Sequence, residues 1–300
     1  MPRIALATYD PGDEPGLDRD LPVLVRALRE AGAQAVAVPW DDAAADWGAF
    51  DLAVIRSTWD YTWRAEEFAA WVERCGRRTR LANPPEVVRW NMDKRYIGDL
   101  AAAGVPTVPT RYIAPGEPAA LPDGHEYVVK PTTGAGARYA ARYTPGEHDT
   151  ALRQLERMHA EGLTAMVQPY VRGIDTSGER ALQFFGGRFL HASRKGAVLA
   201  PGTAYDADKV AHPNLEPWIP DPAELAVAER ALAAVPGTPE LLYARVDLVT
   251  GQDGEPWVME LELVEPNLFL FLHPDSVPRV VEAVLRAAGR RPPSAATGPR

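Results

Sequence analysis

Two apolar segments near the end of the chain carry acids that an ordinary buried strand would not hold. Ala244-Arg245-Val246-Asp247-Leu248 and Val258-Met259-Glu260-Leu261-Glu262-Leu263 both read as strands. The turn-forming stretch Thr250-Gly251-Gln252-Asp253-Gly254-Glu255 joins them, so Leu241–Val249 and Trp257–Leu263 are expected to form a hairpin. Side chains two apart on a strand share a face, which sets Glu260 beside Glu262 and Arg245 beside Asp247. Three carboxylates on one sheet face repel each other unless a cation lies between them. Their neighbours Val246, Leu248, Val258, Leu261 and Leu263 are too apolar for a solvated acidic face. A hard cation that takes oxygen ligands, as Mg2+ does, fits Asp247, Glu260 and Glu262. Arg245 is a candidate for a transferring phosphate or a carboxylate, with a structural salt bridge to Asp247 as the rival reading.

Composition limits the function classes. The 300 residues hold 32 Lys+Arg against 41 Asp+Glu, a net charge of −9. A nucleic-acid binder needs a basic face, so that class is excluded, while a small anionic ligand held by local cations is not. With 46% hydrophobic and 24% charged residues the chain reads as an ordinary globular protein of one large domain or two to three small ones. The single cysteine, Cys75, excludes a disulfide framework and a cysteine zinc site. It shares a helical face with Phe68, Trp71 and Val72 and reads as a core residue. The histidines show no HxxxH or HExxH spacing, and no GxSxG elbow is present. His191 and His273 read as packing or solvent-facing groups. The first apolar run, Ile4–Thr8, is too short for a signal peptide, and no window approaches 18 apolar residues. No membrane partner and a cytoplasmic location are expected, and a homodimer is left open.

The first part alternates strands and helices. Ile4–Thr8, Ala35–Val38, Leu52–Ile55 and Arg80–Ala82 read as strands, with helices after Asp20 and around Phe68–Cys75. That order predicts a small parallel sheet, with ligands at the carboxyl ends of its strands. Tyr9 and Asp10 lie at one such end, and Ser57, Thr58, Trp59, Asp60 and Tyr61 at another, so they are substrate-pocket candidates. From Pro85 the chain reads as helical through Ala103. Tyr127–Pro131, Tyr139–Tyr143 and Met166–Tyr170 read as strands around a Thr150–Glu161 helix. Arg180–Phe185 and Arg188–Ser193 flank Gly186-Gly187 as a hairpin. Helices are expected over Ala223–Val235 and Ser276–Ala288, and Arg290–Arg300 reads as a mobile tail.

Two further features point to an anion. Lys94 and Lys130 are candidate phosphate ligands, Lys130 at the end of Tyr127-Val128-Val129-Lys130-Pro131, with a solvated strand end as the rival reading that Lys130 alone would favour. The loop Thr133-Gly134-Ala135-Gly136 has small residues whose backbone N–H groups can approach an anion closely. It lacks the Gly-Lys-Ser/Thr of a P-loop and is not GxGxxG. Arg194, in Ser193-Arg194-Lys195-Gly196, is a second candidate for phosphate or carboxylate. Asn267 is polar beside the apolar run Leu268-Phe269-Leu270-Phe271-Leu272 and could hold substrate or cap a turn.

A lysine before Gly104-Val105-Pro106-Thr107, a strand ending Val-Val-Lys-Pro, a small-residue loop, Val-Gln-Pro-Tyr-Val, then Asp and Glu-x-Glu resembles the ATP-grasp superfamily over about residues 85–272. The resemblance implies an α/β fold with α+β parts. Residues 1–84 would form an N-terminal parallel-sheet domain, 108–168 a central lid, and 85–107 with 169–290 a C-terminal domain with an antiparallel sheet. It further implies ATP as cofactor, bound between the last two units. Lys94 and Lys130 would meet phosphates, Thr133–Arg138 would close over them, and Gln168, Pro169, Tyr170 and Val171 would face adenine. Asp175 would meet the ribose, and Asp247, Glu260 and Glu262 would hold Mg2+, expected as two ions. Pro169 and Glu262 stand where the family usually has Glu and Asn. Three stretches, Ser57–Arg64, Val88–Tyr96 and Ser193–Gly196, are similar to the cyclo-ligases that close O-ureido-D-serine to D-cycloserine. The implied activity is an ADP-forming ligase acting on a small-molecule carboxylate through an acyl phosphate. A ligase joining a carboxylate to another amine, a phosphotransferase and a nucleotide-binding module without turnover are the alternatives.

Overall fold

The computed structural model describes residues 1–12, 18–134, 136–207, 209 and 212–289. Ala135 and the tail expected from Arg290 lie outside the described residues. Three sheets organise the chain. The first is parallel, in the order β2-β1-β3-β4, from β1 (Arg3–Thr8), β2 (Gln34–Pro39), β3 (Leu52–Ile55) and β4 (Leu81–Ala82). Helices α1 (Leu21–Glu30) and α2 (Ala65–Arg78) connect these strands. The apolar stripe of α2, Phe68, Trp71, Val72 and Cys75, is buried against the sheet, and burial pushes the Cys75 thiol up to about 12. The expected β-α-β-β-α-β order is found.

The stretch from Pro85 is expected to be one helix but forms two, α3 (Pro85–Asn91) and α4 (Tyr96–Ala102). The break has a physical cause. The Lys94 backbone N–H leaves the helical ladder to donate to the Thr132 carbonyl at 2.8 Å. The Asp93 carboxylate accepts from the Arg95 N–H at 2.9 Å. The break presents Lys94 to the neighbouring sheets.

The second sheet is antiparallel, β5-β8-β6-β7, from β5 (Arg111–Ile113), β6 (Tyr127–Pro131), β7 (Ala141–Tyr143) and β8 (Ala165–Pro169), backed by α5 (His148–Ala160). After α6 (Gly173–Ser177) comes the third, β11-β10-β9-β12-β13. It contains β9 (Glu179–Phe185), β10 (Arg188–Lys195), β11 (Glu216–Trp218), β12 (Tyr243–Thr250) and β13 (Pro256–Glu262). One face of it is apolar and packs on α3, α4 and α7 (Pro222–Ala233) through Leu182, Val246, Leu248 and Leu261. The last helix, α8 (Val277–Ala288), buries Val280 and Val284 in one core with Leu24 and Leu28 of α1. Among the described residues no helix is long and apolar enough to cross a membrane.

Asp20 is expected to cap α1, and it does something else. Its side chain makes no cap bond. The cap is Asp18, whose Oδ1 accepts from the N–H groups of Asp20 and Leu21 at 2.8 and 3.1 Å. The buried Asp20 carboxylate instead accepts from the backbone N–H groups of Leu268, Phe269 and Leu270 at 2.8, 2.8 and 2.7 Å. Those donors sit in a buried turn with no strand partner, so a carboxylate from the first sheet's unit pins the segment that follows β13. Asp20→Ala should therefore cost about 3 kcal/mol in urea unfolding, because it strands several buried donors. A loss near 1 kcal/mol, typical of an exposed helix cap, would show that Asp20 acts only locally.

Candidate active site

Register decides which side chains meet. On β12 and β13, Arg245 lies opposite Glu262 and Asp247 opposite Glu260. The next strands place Gln183 opposite Arg245, Ala181 opposite Asp247, and Lys195 opposite Glu179. One sheet face therefore carries Lys195, Glu179, Arg245, Asp247, Glu260 and Glu262. It forms part of the wall of a cavity of about 1060 Å3, which Lys94, Lys130, Gly134, Gly136, Gln168, Pro169, Tyr170, Val171, Trp59, Tyr61, Glu265 and Asn267 also line.

The edge of β13 has no neighbouring strand over its last turn, and side chains stand in for one. Asn91 donates to the Leu261 carbonyl and accepts from the Leu263 N–H, each at 2.7 Å. The Tyr96 hydroxyl accepts from the Leu261 N–H at 3.0 Å. Asn83 donates to Tyr243 and Leu263 carbonyls at 2.9 and 2.8 Å. Satisfying these buried backbone groups holds Glu260 and Glu262 at fixed depth.

The charges on this face neutralise each other. Arg245 grips Asp247 with two bonds of 2.8 Å and also pairs with Glu262. Lys195 reaches Asp247 at 2.8 Å and Glu179 at 2.5 Å. Lys94 pairs with Glu260 at 3.1 Å and donates to the Gly134 carbonyl at 2.7 Å. Although burial opposes it, the Arg245 and Lys195 charges hold the Asp247 carboxyl far below the usual range. Burial instead raises Glu262 and Glu179 despite their cation partners. Burial also raises Glu265, to about 7, and lowers the Lys130 ammonium. Lys130 makes no ion pair with any described residue.

The sequence-based expectations fare unevenly in geometry. Lys94, Lys130, Gly134, Gly136 and Gln168 to Val171 come together on the cavity wall; Thr133 is described but is not part of that wall. Asp247, Glu260 and Glu262 share a face as expected. Yet the repulsion assigned to an intervening metal is relieved by Lys195, Arg245 and Lys94, and no ready-made metal cage exists among the described residues. Their all-oxygen, surplus-acid chemistry still suits a hard divalent cation that displaces these pairs.

Arg194 points to the opposite face, where it pairs with Glu216 and lies near the Trp218 ring, 5.9 Å from its centroid. The residue facing the cavity is its neighbour Lys195, because a one-residue step on a strand reverses the face. Asp175 lies outside the cavity, held by the Tyr170 hydroxyl at 2.6 Å and by Arg142 at 3.5 Å; the acid on the wall is Glu179. Asp60 accepts from the Trp40 indole at 2.9 Å and pairs with Arg64, so it braces α2. Asp10 accepts from the Gly12 N–H. Ser57 bonds the Thr8 hydroxyl at 2.8 Å and, like Thr58, is fully buried. Tyr9 packs on Trp59 with ring centroids 5.8 Å apart, and Trp59 is the member of this group on the wall, with Tyr61.

Asn267 is on the wall and its amide meets the His212 ring at 3.1 Å. His191 and His273 stack at 4.0 Å outside the cavity, His191 bonded to Ser276 and the Leu268 carbonyl. Lys195, Glu179 and Glu265 escaped the reading of the sequence. Regular pairing from the Gly186-Gly187 turn would set Arg194 opposite Glu179; a bulge between Phe189 and His191 shifts the register by one residue and brings Lys195 there, so the hairpin signal does not find it. Glu265 sits in a turn after β13, and no periodicity reaches it.

A cation-rich, acid-rich cavity between two antiparallel sheets, beside a parallel-sheet unit, is the scaffold of the ATP-grasp ligases. The D-alanine–D-alanine ligase of Bacillus anthracis, solved with ATP, superposes with a TM-score of 0.65 at 18% identity, over 96% of this chain and 97% of that one. The crystal structure of D-cycloserine synthetase DcsG superposes with a TM-score of 0.85 at 37% identity, over 95% of this chain and 99% of that one. The cycloserine biosynthesis protein DcsG of Streptomyces lavendulae is 40% identical over 285 residues, 89% of this chain and 93% of that protein. The family described as D-cycloserine synthetase DcsG, N-terminal domain, matches residues 4–83. The chain belongs to the DcsG family.

Two measurements check this geometry. Lys195→Met should cost about 3–5 kcal/mol by leaving buried carboxylates under-neutralised, whereas Arg194→Ala should change stability by less than about 0.5 kcal/mol. Equal effects would mean that the two faces are misassigned. The raised carboxyls also set a pH dependence. Folded Glu262 and Glu265 keep protons that the unfolded chain has already released, so their contribution to stability falls as pH rises from about 5 to about 8. Glu265→Gln should flatten that decline in the ligand-free protein, as read by melting temperature across this range.

Proposed function

We propose that the protein is an ATP- and Mg2+-dependent carboxylate–amine ligase that closes O-ureido-D-serine to D-cycloserine through an acyl phosphate. The observation that carries the nucleotide part is Lys130, a cation with no described ion-pair partner, set in the cavity wall beside Lys94 and the small residues Gly134 and Gly136. An ammonium partly withdrawn from water with no carboxylate in salt-bridge distance is costly, and a polyphosphate offsets that cost. Kinship with DcsG over most of the chain supports the cycloserine part.

In this reading the adenine lies along Gln168 to Val171, and the phosphates run toward Lys130 and Lys94. Asp247, Glu260 and Glu262 would hold Mg2+, expected as two ions, which would supply charge neutralisation for the nucleotide's phosphates. Arg245 offers a guanidinium edge to the transferring phosphoryl group. The substrate carboxylate oxygen attacks the γ-phosphorus and ADP leaves. The nitrogen bound to the substrate's side-chain oxygen then attacks the acyl carbon and phosphate leaves, closing a five-membered ring. The carbamoyl group is lost with addition of water. Both reacting groups belong to one molecule, so the protein's work is mostly positioning and charge placement.

Incubation with Mg·ATP and O-ureido-D-serine should give ADP, phosphate and a product with the mass of cycloserine. Hydroxylamine should divert the acyl phosphate to a hydroxamate. A stable phosphorylated product with no hydroxamate would mean a phosphotransferase instead. Lys130→Met should raise the KM for ATP by about tenfold or more, the loss of one charge-assisted phosphate contact.

A further inference from the structure

Lys130 and Glu265 are among the described charged groups on the cavity wall that have no ion pair, as are Arg19 and Asp206. Glu179, Asp247, Glu260 and Glu262 each have a cation within salt-bridge distance, supplied by Lys195, Arg245 and Lys94. Among the described residues Lys130 has no acid, and Glu265 no cation, within salt-bridge distance, although Glu260 lies near Lys130, and Lys94 and Arg245 lie near Glu265. The two come from different parts of the fold. Lys130 ends β6 in the second sheet. Glu265 lies just beyond β13, and Tyr61, from the five-residue turn after β3, lines the same cavity and lies near enough to act on its carboxyl. Trp59 lies on the cavity wall from that same turn, and Asn267 lies two residues beyond Glu265.

Resting on the reading of this cavity as a ligase site, we propose that Glu265, oriented by Tyr61, binds the α-ammonium group of an amino-acid substrate. The unpaired cation takes the anionic nucleotide and the unpaired acid takes the cationic end of the substrate. Tyr61 is 4% exposed and stacks on Phe68 at 4.9 Å, so its ring is held in place on the wall that Glu265 shares. Selection by a charged, hydrogen-bonded acceptor discriminates strongly against a ligand lacking the matching donor.

The test is calorimetric titration of the full chain loaded with Mg·AMPPNP, so that turnover is not needed. O-ureido-D-serine is compared with its counterpart bearing hydroxyl in place of the α-amino group. The parent should bind the amino compound about 100-fold more tightly. Glu265→Gln should lose about 30-fold or more for the amino compound, with less than about threefold change for the hydroxyl compound and for Mg·AMPPNP. Tyr61→Phe should show the same selective loss, smaller in size. An equal loss for both compounds, or a weakened Mg2+ requirement traced to Glu265→Gln, would overturn the assignment in favour of a structural or metal-binding role. D-serine against D-glycerate and D-alanine against D-lactate separate this inference from the proposed reaction. If the O-ureido compound is no substrate but the amino member of either pair is preferred by the parent alone, the ammonium site stands and the reaction falls. No preference in any pair sinks the ammonium site.

Discussion

A connected set of buried charges holds this structure in register. Glu262, Arg245, Asp247, Lys195 and Glu179 form one series across four adjacent strands, and Lys94 joins Glu260 to the loop at Gly134. Asp247 and Arg245 are 1% and 2% exposed. Ions so placed persist only when each has a partner in good geometry. Any slip of β12 against β13 would turn these charges into the apolar layer formed by Leu182, Val246 and Leu261. The charge series therefore defends the pairing that the cavity needs.

Around that face the chain closes its open edges with side chains. Asn83, Asn91 and Tyr96 take the hydrogen-bonding positions of a missing strand beside β13, and Asp20 does the same for the turn at Leu268 to Leu270. All four reach across more than 150 residues of sequence. They join the parallel-sheet unit and the broken helix α3–α4 to the strands that carry the acids. Cavity walls from three parts of the fold are thereby kept at one spacing.

Much of this was legible from periodicity. The parallel β-α-β-β-α-β start, the two hairpins and the shared face of Glu260 and Glu262 follow from alternation and turn chemistry, which act over a few residues. Lys130 stood out because a lysine in an apolar strand end is locally anomalous. Arg194 was chosen over Lys195 because parity along β10 depends on where the hairpin pairs, and the two residues look equivalent without it. Asp20 and Asp60 had plausible local uses that distant partners overrode. Asp175 lay in the right segment but turned outward to Tyr170 and Arg142.

Local pattern marks the residues that are chemically unusual for their surroundings: acids and cations embedded in apolar strands, and small residues next to a lysine. Transfer energetics add the rest of that reading, since a buried charge is costly wherever it lies. How those charges are shared is set by folding. Whether Asp247 meets a metal or an arginine, whether Lys195 or Arg194 faces the cavity, and that Lys130 and Glu265 remain unpaired all depend on strands brought together from distant parts of the chain. Electrostatic pairing falls off with distance in space, not in sequence, so its outcome cannot be read before the chain is folded.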